Sequence, residues 1–540
     1  MKPTPHPTAI GISLLALAAI AAFVGSASAS APIYGHRDFA FVAGHAGPAL
    51  LPYVDKNPHS KSGTWTDVNG PILPANPEIS ILLTDGRVMV HSSCVDHWYF
   101  LTPDKKGKYE TGSWSQDSAN LPAGYAPAFF ASEILPDGRF IMNGGEYNGT
   151  NCDGNPVWTN LGALYDPVAD SWTAVSPPSG WSMIGDAQSI VLPNGTYMLA
   201  DCCDNPGFAA LASISGRKVT WTKHETVACD EQELCNNEEG WTPLPNGDVL
   251  TVDVHKHGVN YDDVEIYDTS TGTWSLAGQT ADYLSDSGLE IGPAVLRPDG
   301  TIIQFGANTT GGYNDLYTAS TGKWRSAPSF PMIDGVQFLC YDAPAALLPD
   351  GNVLVQASPP NAAPSHFFEF GIGKKGKMAL VQVNDTSSAP VTPSYAGSFL
   401  ELPTGQVLWA NDASEVATYT PKGKADKHWL PVVSSVASTL AVGSTANAIS
   451  GTNFNGFSQG ASYGDDKQMS TNYPLVRITN NGSGDVCFGR SYDFSTMGVW
   501  TKGTTNAVFD LPTTCETGAS TLQVIVNGLA SAGVSVRLNG

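Results

Sequence analysis

The chain has 540 residues, of which only 14% are charged; 50 acidic residues against 27 basic ones leave a formal net charge of −23. With no basic run anywhere, nucleic acid and anionic membrane surfaces are excluded as partners on electrostatic grounds. The 56 glycines and 38 prolines exclude a mainly helical protein and point to a turn-rich all-β chain.

Residues 1–29 read as an export signal. Lys2 precedes an apolar run over residues 9–25, and small residues follow with a cleavage site at Ala27-Ser28-Ala29. The run is shorter than the roughly 20 apolar residues that span a bilayer, and no second candidate follows. The expected product is a secreted or periplasmic monomer with no membrane span. Residues 30–60 form an N-terminal extension.

From residue 61 to 431 the chain repeats. "LLTDGRVMV", "ILPDGRFIM", "VLPNGTYML", "PLPNGDVLT", "LRPDGTIIQ", "LLPDGNVLV" and "ELPTGQVLW" share one design, with turn glycines at Gly86, Gly138, Gly195, Gly247, Gly300, Gly351 and Gly405. Each is an apolar strand, a tight turn and a second apolar strand, which is a hairpin. Downstream, Tyr165, Tyr267 and Tyr317 each stand seven residues before Trp172, Trp274 and Trp324. Trp114, Trp221 and Trp429 fill the same slot with looser spacing, and the sixth unit has Phe368 and Phe370 instead. Four short strands per unit of about fifty residues predict a kelch-type propeller of seven blades. "SGTWTDV" around Trp65 is expected to close the ring by joining the last blade. Residues 432–540 read as a separate immunoglobulin-like β-sandwich.

Nine cysteines in an exported chain suggest disulfides. Cys487 and Cys515 are expected to pair, and Cys229 and Cys235 to close a short loop. Adjacent Cys202 and Cys203 either form a vicinal bridge or take separate partners. The odd count leaves at least one thiol over.

Counting back from the turn glycines locates candidate site residues. Asp186, Glu238 (with Glu239 beside it) and Asp342 lie nine residues before their glycines, and Glu290 lies ten before Gly300. Four consecutive blades thus aim a carboxylate at one edge of the ring, near its axis. Tyr341 stands beside Asp342. Such an acidic mouth would bind Ca²⁺, a cationic group or sugar hydroxyls; alternatively each carboxylate caps backbone amides at a loop bend. A paired-carboxylate glycosidase stays open, since separation decides that chemistry. His255 and His257, with Asp253, Asp262 and Asp263 nearby, form a weaker metal candidate. His91 and His97 around Cys94 are taken as structural. No GxSxG, HExxH or phosphate loop occurs.

The seven turns, followed by "FNGFSQGASYGDD" and "TNYPLVRI", resemble the galactose oxidase/kelch superfamily over nearly the whole mature chain. The resemblance implies a seven-bladed propeller with a C-terminal sandwich. In the oxidases of that superfamily, two tyrosines and two histidines hold one copper. One ligand pair reads Tyr-His ahead of a turn, and the matching place here is Tyr341-Asp342. The second imidazole comes from a C-terminal loop, where this chain has Lys467 and Gln468; its last histidine is His428. The expectation is therefore a member without the copper site, binding a carbohydrate or cell-surface ligand at an acidic mouth. The alternatives are a copper radical oxidase with altered ligands, or a glycan hydrolase or lyase.

Overall fold

The computed structural model describes residues 63–540 apart from 71–73, 75, 118, 150–151, 153–155, 203–207, 226–235, 259 and 413–414; the side chains of 223–225, 256–257 and 374 also lie outside it. The export signal, the N-terminal extension, Cys203, Cys229, Cys235 and the side chain of His257 fall outside the described residues.

Each sequence hairpin is built as expected. In all seven turns the glycine N–H donates to the carbonyl three residues back, from Gly86 to Leu83 through Gly405 to Leu402. All seven glycines sit at φ between 78° and 95°, where an L side chain is strained. Gly351 has a second constraint, since a Cβ there would come within 2.8 Å of the Trp429 ring.

The hairpins grow into seven antiparallel blades of four strands. The innermost strands are Ile79–Leu82, Ala131–Ile134, Ser189–Val191, Thr242–Pro243, Ala294–Leu296, Ala345–Leu347 and Gly397–Glu401. The Tyr-x₆-Trp spacing is explained by register. Tyr165, Tyr267 and Tyr317 lie directly opposite Trp172, Trp274 and Trp324 across the third and fourth strands, with ring centroids 4.9, 5.4 and 5.0 Å apart. Such aromatic pairs add about 0.5–1.5 kcal/mol each beyond their burial. The ring closes as expected: Thr64–Asp67 pairs with Val416–Thr420 and becomes the outer strand of blade 7. Trp65 then packs on Phe367 and Tyr419.

Residues from Val432 onward form a separate sheet-rich region, consistent with a sandwich. Phe454, Tyr473, Phe509, Leu522 and Val524 are among its buried residues. It packs on the turn face of the ring. Phe494 N–H and Met497 N–H donate to Pro136 and Pro193 carbonyls, and a Cβ at Gly86 would strike Phe488.

From this region one loop enters the ring as a finger. Its rising arm pairs Ala461–Ser462 with the inner strand of blade 6, and Gln459 bonds to the backbone of Ala294 and Leu296. The returning arm meets blades 2, 7 and 1: Ser132 Oγ donates to the Gln468 carbonyl, Thr471 Oγ1 to Glu401, and Tyr473 Oη to the Leu82 carbonyl.

The disulfides match the expectation in part. Cys487–Cys515 is formed, and so is Cys94–Cys152, which the sequence did not indicate. Cys202 is disulfide-bonded to a partner outside the described residues, and among the described residues the free thiol is buried Cys340. Among the described residues no helix is long and apolar enough to cross a membrane.

Candidate functional site

The loop into each inner strand must turn from the blade edge toward the axis within a few residues. At three equivalent positions, nine before the turn glycine, it does so through a left-handed residue: Phe129 (φ 51°), Glu238 (φ 59°) and Asp342 (φ 41°). An L residue there costs about 1–3 kcal/mol and persists only where its surroundings fix it. Two of the three are acids of the predicted ring.

The structure brings Asp186, Glu238, Glu290 and Asp342 together, as the repeat register predicts. Carboxylate oxygens of Glu238, Glu290 and Asp342 lie within 4.8 Å of one another. A second set, Asp186, Glu238 and Asp465, meets the same limit, so Glu238 belongs to both. Tyr341 donates to Glu290 Oε1 at 2.8 Å, while Glu290 Oε2 and Asp465 Oδ2 are buried with no donor.

The finger tip supplies what the sequence reading missed. Gly464 lets it pass, because a Cβ there would come within 2.5 Å of Asp342 Oδ1. Asp465 and Asp466 follow, buried at 3% and 1% exposure, and neither oxygen of Asp466 has a donor. Lys467 then forms a buried ion pair with Glu78 at 3.2 Å, its Nζ 4.0 Å from the centre of the Phe129 ring and 4.4 Å from that of Tyr463. Phe129 is the left-handed residue of blade 2, so the third equivalent position also serves the centre. Glu146, from the loop after the second strand of blade 2, adds a further acid.

Two expectations need correction. The predicted open rim is a buried cluster: Asp186, Glu238, Glu290 and Asp342 keep only 5–7% of their surface, and Tyr341 keeps 3%. The finger tip packs among them, with Gly464 against Asp342 and Asp465 beside Asp186 and Glu238. Glu239 is not part of this ring. It follows Glu238, whose left-handed φ of 59° redirects the chain, and it turns into blade 4. There its atoms meet those of Asp253 and His255. His91 is buried as expected of a structural residue, its Nε2 3.1 Å from the Val95 carbonyl, and burial pushes it down to about 4.

The electrostatics follow from this packing. Burial raises all the axial carboxyls, and their mutual repulsion adds to it. Asp186 is pushed up to about 6 by burial, and Asp466 to about 7 by burial against the pull of Lys467. Glu146, Glu238, Glu290, Asp342 and Asp465 are all pushed well above the carboxylate range, by burial first and their acidic neighbours second. Tyr341 is also pushed up, by burial and then by Glu290. Such a set is stable only if it keeps protons or takes a cation.

The donors decide which cation fits. Oxygens no more than 4.8 Å apart can share an ion with bonds of about 2.4 Å, the calcium–oxygen distance. An all-oxygen, acidic set suits Ca²⁺, Mg²⁺ or Mn²⁺. It does not fit the copper of the resembling oxidases, which needs imidazole nitrogens. Asp342 stands at the matching histidine position, Tyr341 is engaged by Glu290, and the finger presents Asp465, Asp466 and Lys467.

No protein-family model matches the chain, and no curated protein sequence matches it. Solved structures do match. A fungal alcohol oxidase of the AA5 family, in complex with copper, is similar over 89% of this chain and 100% of its own, at 13% identity and TM-score 0.50. Virginiamycin B lyase from Staphylococcus aureus covers 66% of this chain and 99% of its own, at 9% identity and TM-score 0.43. The first likeness is one of fold, and it agrees with the seven-bladed ring. At such identities activity does not follow.

Proposed function

We propose that the protein is an exported propeller that binds a carbohydrate or other hydroxyl-rich cell-surface ligand through a hard divalent cation, Ca²⁺ first, held at the axial carboxylates. One observation carries this reading: two carboxylate triads share Glu238 and bury oxygens that have no donor. The cation would be held by Asp186, Glu238, Glu290, Asp342 and Asp465, and it would supply coordination to ligand hydroxyls. Tyr341 keeps Glu290 Oε1 oriented. The test is a polysaccharide and glycan-array screen with Ca²⁺ and after chelation, using the full chain and its Glu238→Gln and Asp342→Asn variants. Binding that disappears on chelation and in both variants is expected. No binding to any glycan in Ca²⁺, or binding indifferent to chelation and to both variants, would overturn the proposal.

A second reading is a glycan hydrolase or lyase, favoured by one feature: Glu290 and Asp342 are neighbouring buried carboxyls, both pushed well above the carboxylate range, next to the Tyr341 hydroxyl. New reducing or unsaturated ends from a polysaccharide would select it. Their absence under conditions where the ligand binds would leave the first reading.

A further inference from the structure

Blade 4 carries a second cluster with different chemistry. Glu239 precedes the inner strand Thr242–Pro243, and the second strand, Val249–His257, runs beside it. Thr251 Oγ1 lies 3.1 Å from Glu239 Oε2, and the His255 N–H donates to Asp253 Oδ1 at 2.9 Å. The pairing of the second and third strands slips between Asp253 and His257. Strict alternation would already place 253 and 255 on one face, and the slip lets His255 fold back toward Asp253. One ligand atom from each of Glu239, Asp253 and His255 then lies within 4.8 Å of the others.

Glu239 and Asp253 are 2% and 1% exposed, and His255 is half-buried with both ring nitrogens turned inward. Glu239 Oε1 is buried and has no hydrogen-bond donor. Glu265, opposite Thr251 on the third strand, is a further buried acid whose charge acts on Glu239. The cluster differs from the axial one in having a nitrogen donor, which turns preference from Ca²⁺ toward borderline ions.

We infer that Glu239, Asp253 and His255 form a transition-metal site in the body of blade 4, for a Zn²⁺-class divalent ion with at least one position left for water. His255 gives the nitrogen and the two carboxylates give oxygens. The site is separate from the axial one, since neither shares a ligand with the other.

Co²⁺ is the probe, because its visible absorption reports nitrogen ligation and low coordination number. The parent for the test is the full chain carrying Glu238→Gln and Asp342→Asn, which disables the axial carboxylates. Chelator-treated parent is expected to bind Co²⁺ with a visible band, and His255→Ala to lower that affinity about 100-fold or more, since even loss of a supporting partner costs 10–100-fold. Glu239→Gln, which keeps shape and removes charge, is expected to weaken binding in the same direction. A His255→Ala protein that fails to fold leaves Glu239→Gln to decide, read also as the loss of Zn²⁺-induced rise in Tm. The inference is overturned if the parent binds no Co²⁺, or if Glu239→Gln binds Co²⁺ and responds to Zn²⁺ as the parent does.

Discussion

Replacing Asp342 by asparagine should make the metal-free protein more stable at pH 8 and less responsive to Ca²⁺. Carboxylates within 4.8 Å of one another repel by at least about 3.5 kcal/mol per ionised pair at an effective dielectric constant of about 20. Asp342 takes part in two of the three pairs of its triad, so full ionisation would set at least about 7 kcal/mol of repulsion against it. Protons retained by the raised carboxyls relieve part of that, so a gain of about 2–4 kcal/mol is expected. The sign with pH follows from the raised values of Asp186 (about 6) and Asp466 (about 7) and the upward shifts of Glu238, Glu290 and Asp342. The folded state holds protons that the unfolded chain releases above about pH 4, so metal-free stability falls as pH rises from there through these values. Ca²⁺ at 100 times its Kd should return about 2.7 kcal/mol to the natural protein. The assay is urea unfolding of chelator-treated protein at pH 5 and pH 8, with and without Ca²⁺. Stability that is flat between pH 5 and 8 without metal, and unmoved by Ca²⁺ or Mn²⁺ at pH 8, would refute the reasoning.

Glu133, on the inner strand of blade 2, is pushed up to about 8 by burial; Glu133→Gln should leave stability at pH 4 unchanged and raise it at pH 8 by up to about 5 kcal/mol, measured by unfolding at both pH values. Gly464→Ala adds a methyl group against Asp342 without changing any charge. It should cost about 1–3 kcal/mol of stability and lower Ca²⁺ affinity, which calorimetric titration would follow. Removing the Cys94–Cys152 bridge, whose ends are 58 residues apart, should cost about 4 kcal/mol. That loss should appear as a shift in urea midpoint of the Cys94→Ser/Cys152→Ser protein.

The ring was legible because its parts recur. A glycine at positive φ has few substitutes, so seven turns announced seven hairpins, and the Tyr-x₆-Trp spacing encoded a cross-strand pair. The same register located Asp186, Glu238, Glu290 and Asp342. Asp465 and Asp466 lay in a loop that occurs once, so no repeat aligned them with the axis; only the resemblance pointed to that loop, and it did so at Lys467 and Gln468. Glu239 was misplaced because the left-handed bend at Glu238 sends the two neighbouring side chains different ways, and a count of residues does not say which of them faces inward. Its true companions, Asp253 and His255, come from the next strand of the same blade, and reading them needs strand register. The Cys94–Cys152 pair joins loops of two blades, a proximity that spacing does not encode.

The finger gives the chain an order of completion. Blade 7 waits for Thr64–Asp67 to be clasped by a strand near residue 420, and the axis waits longer, for residues 459–473 to be threaded through it. Ligands made first, in blades 3 to 6, therefore stand unfinished until one of the last-synthesised segments arrives. A chain cut short after the ring would keep its blades and lack Asp465 and Asp466. The centre is in this sense a record of chain length: without the finger the group of Asp186, Glu238 and Asp465 loses a member, while Glu238, Glu290 and Asp342 all come from the blades.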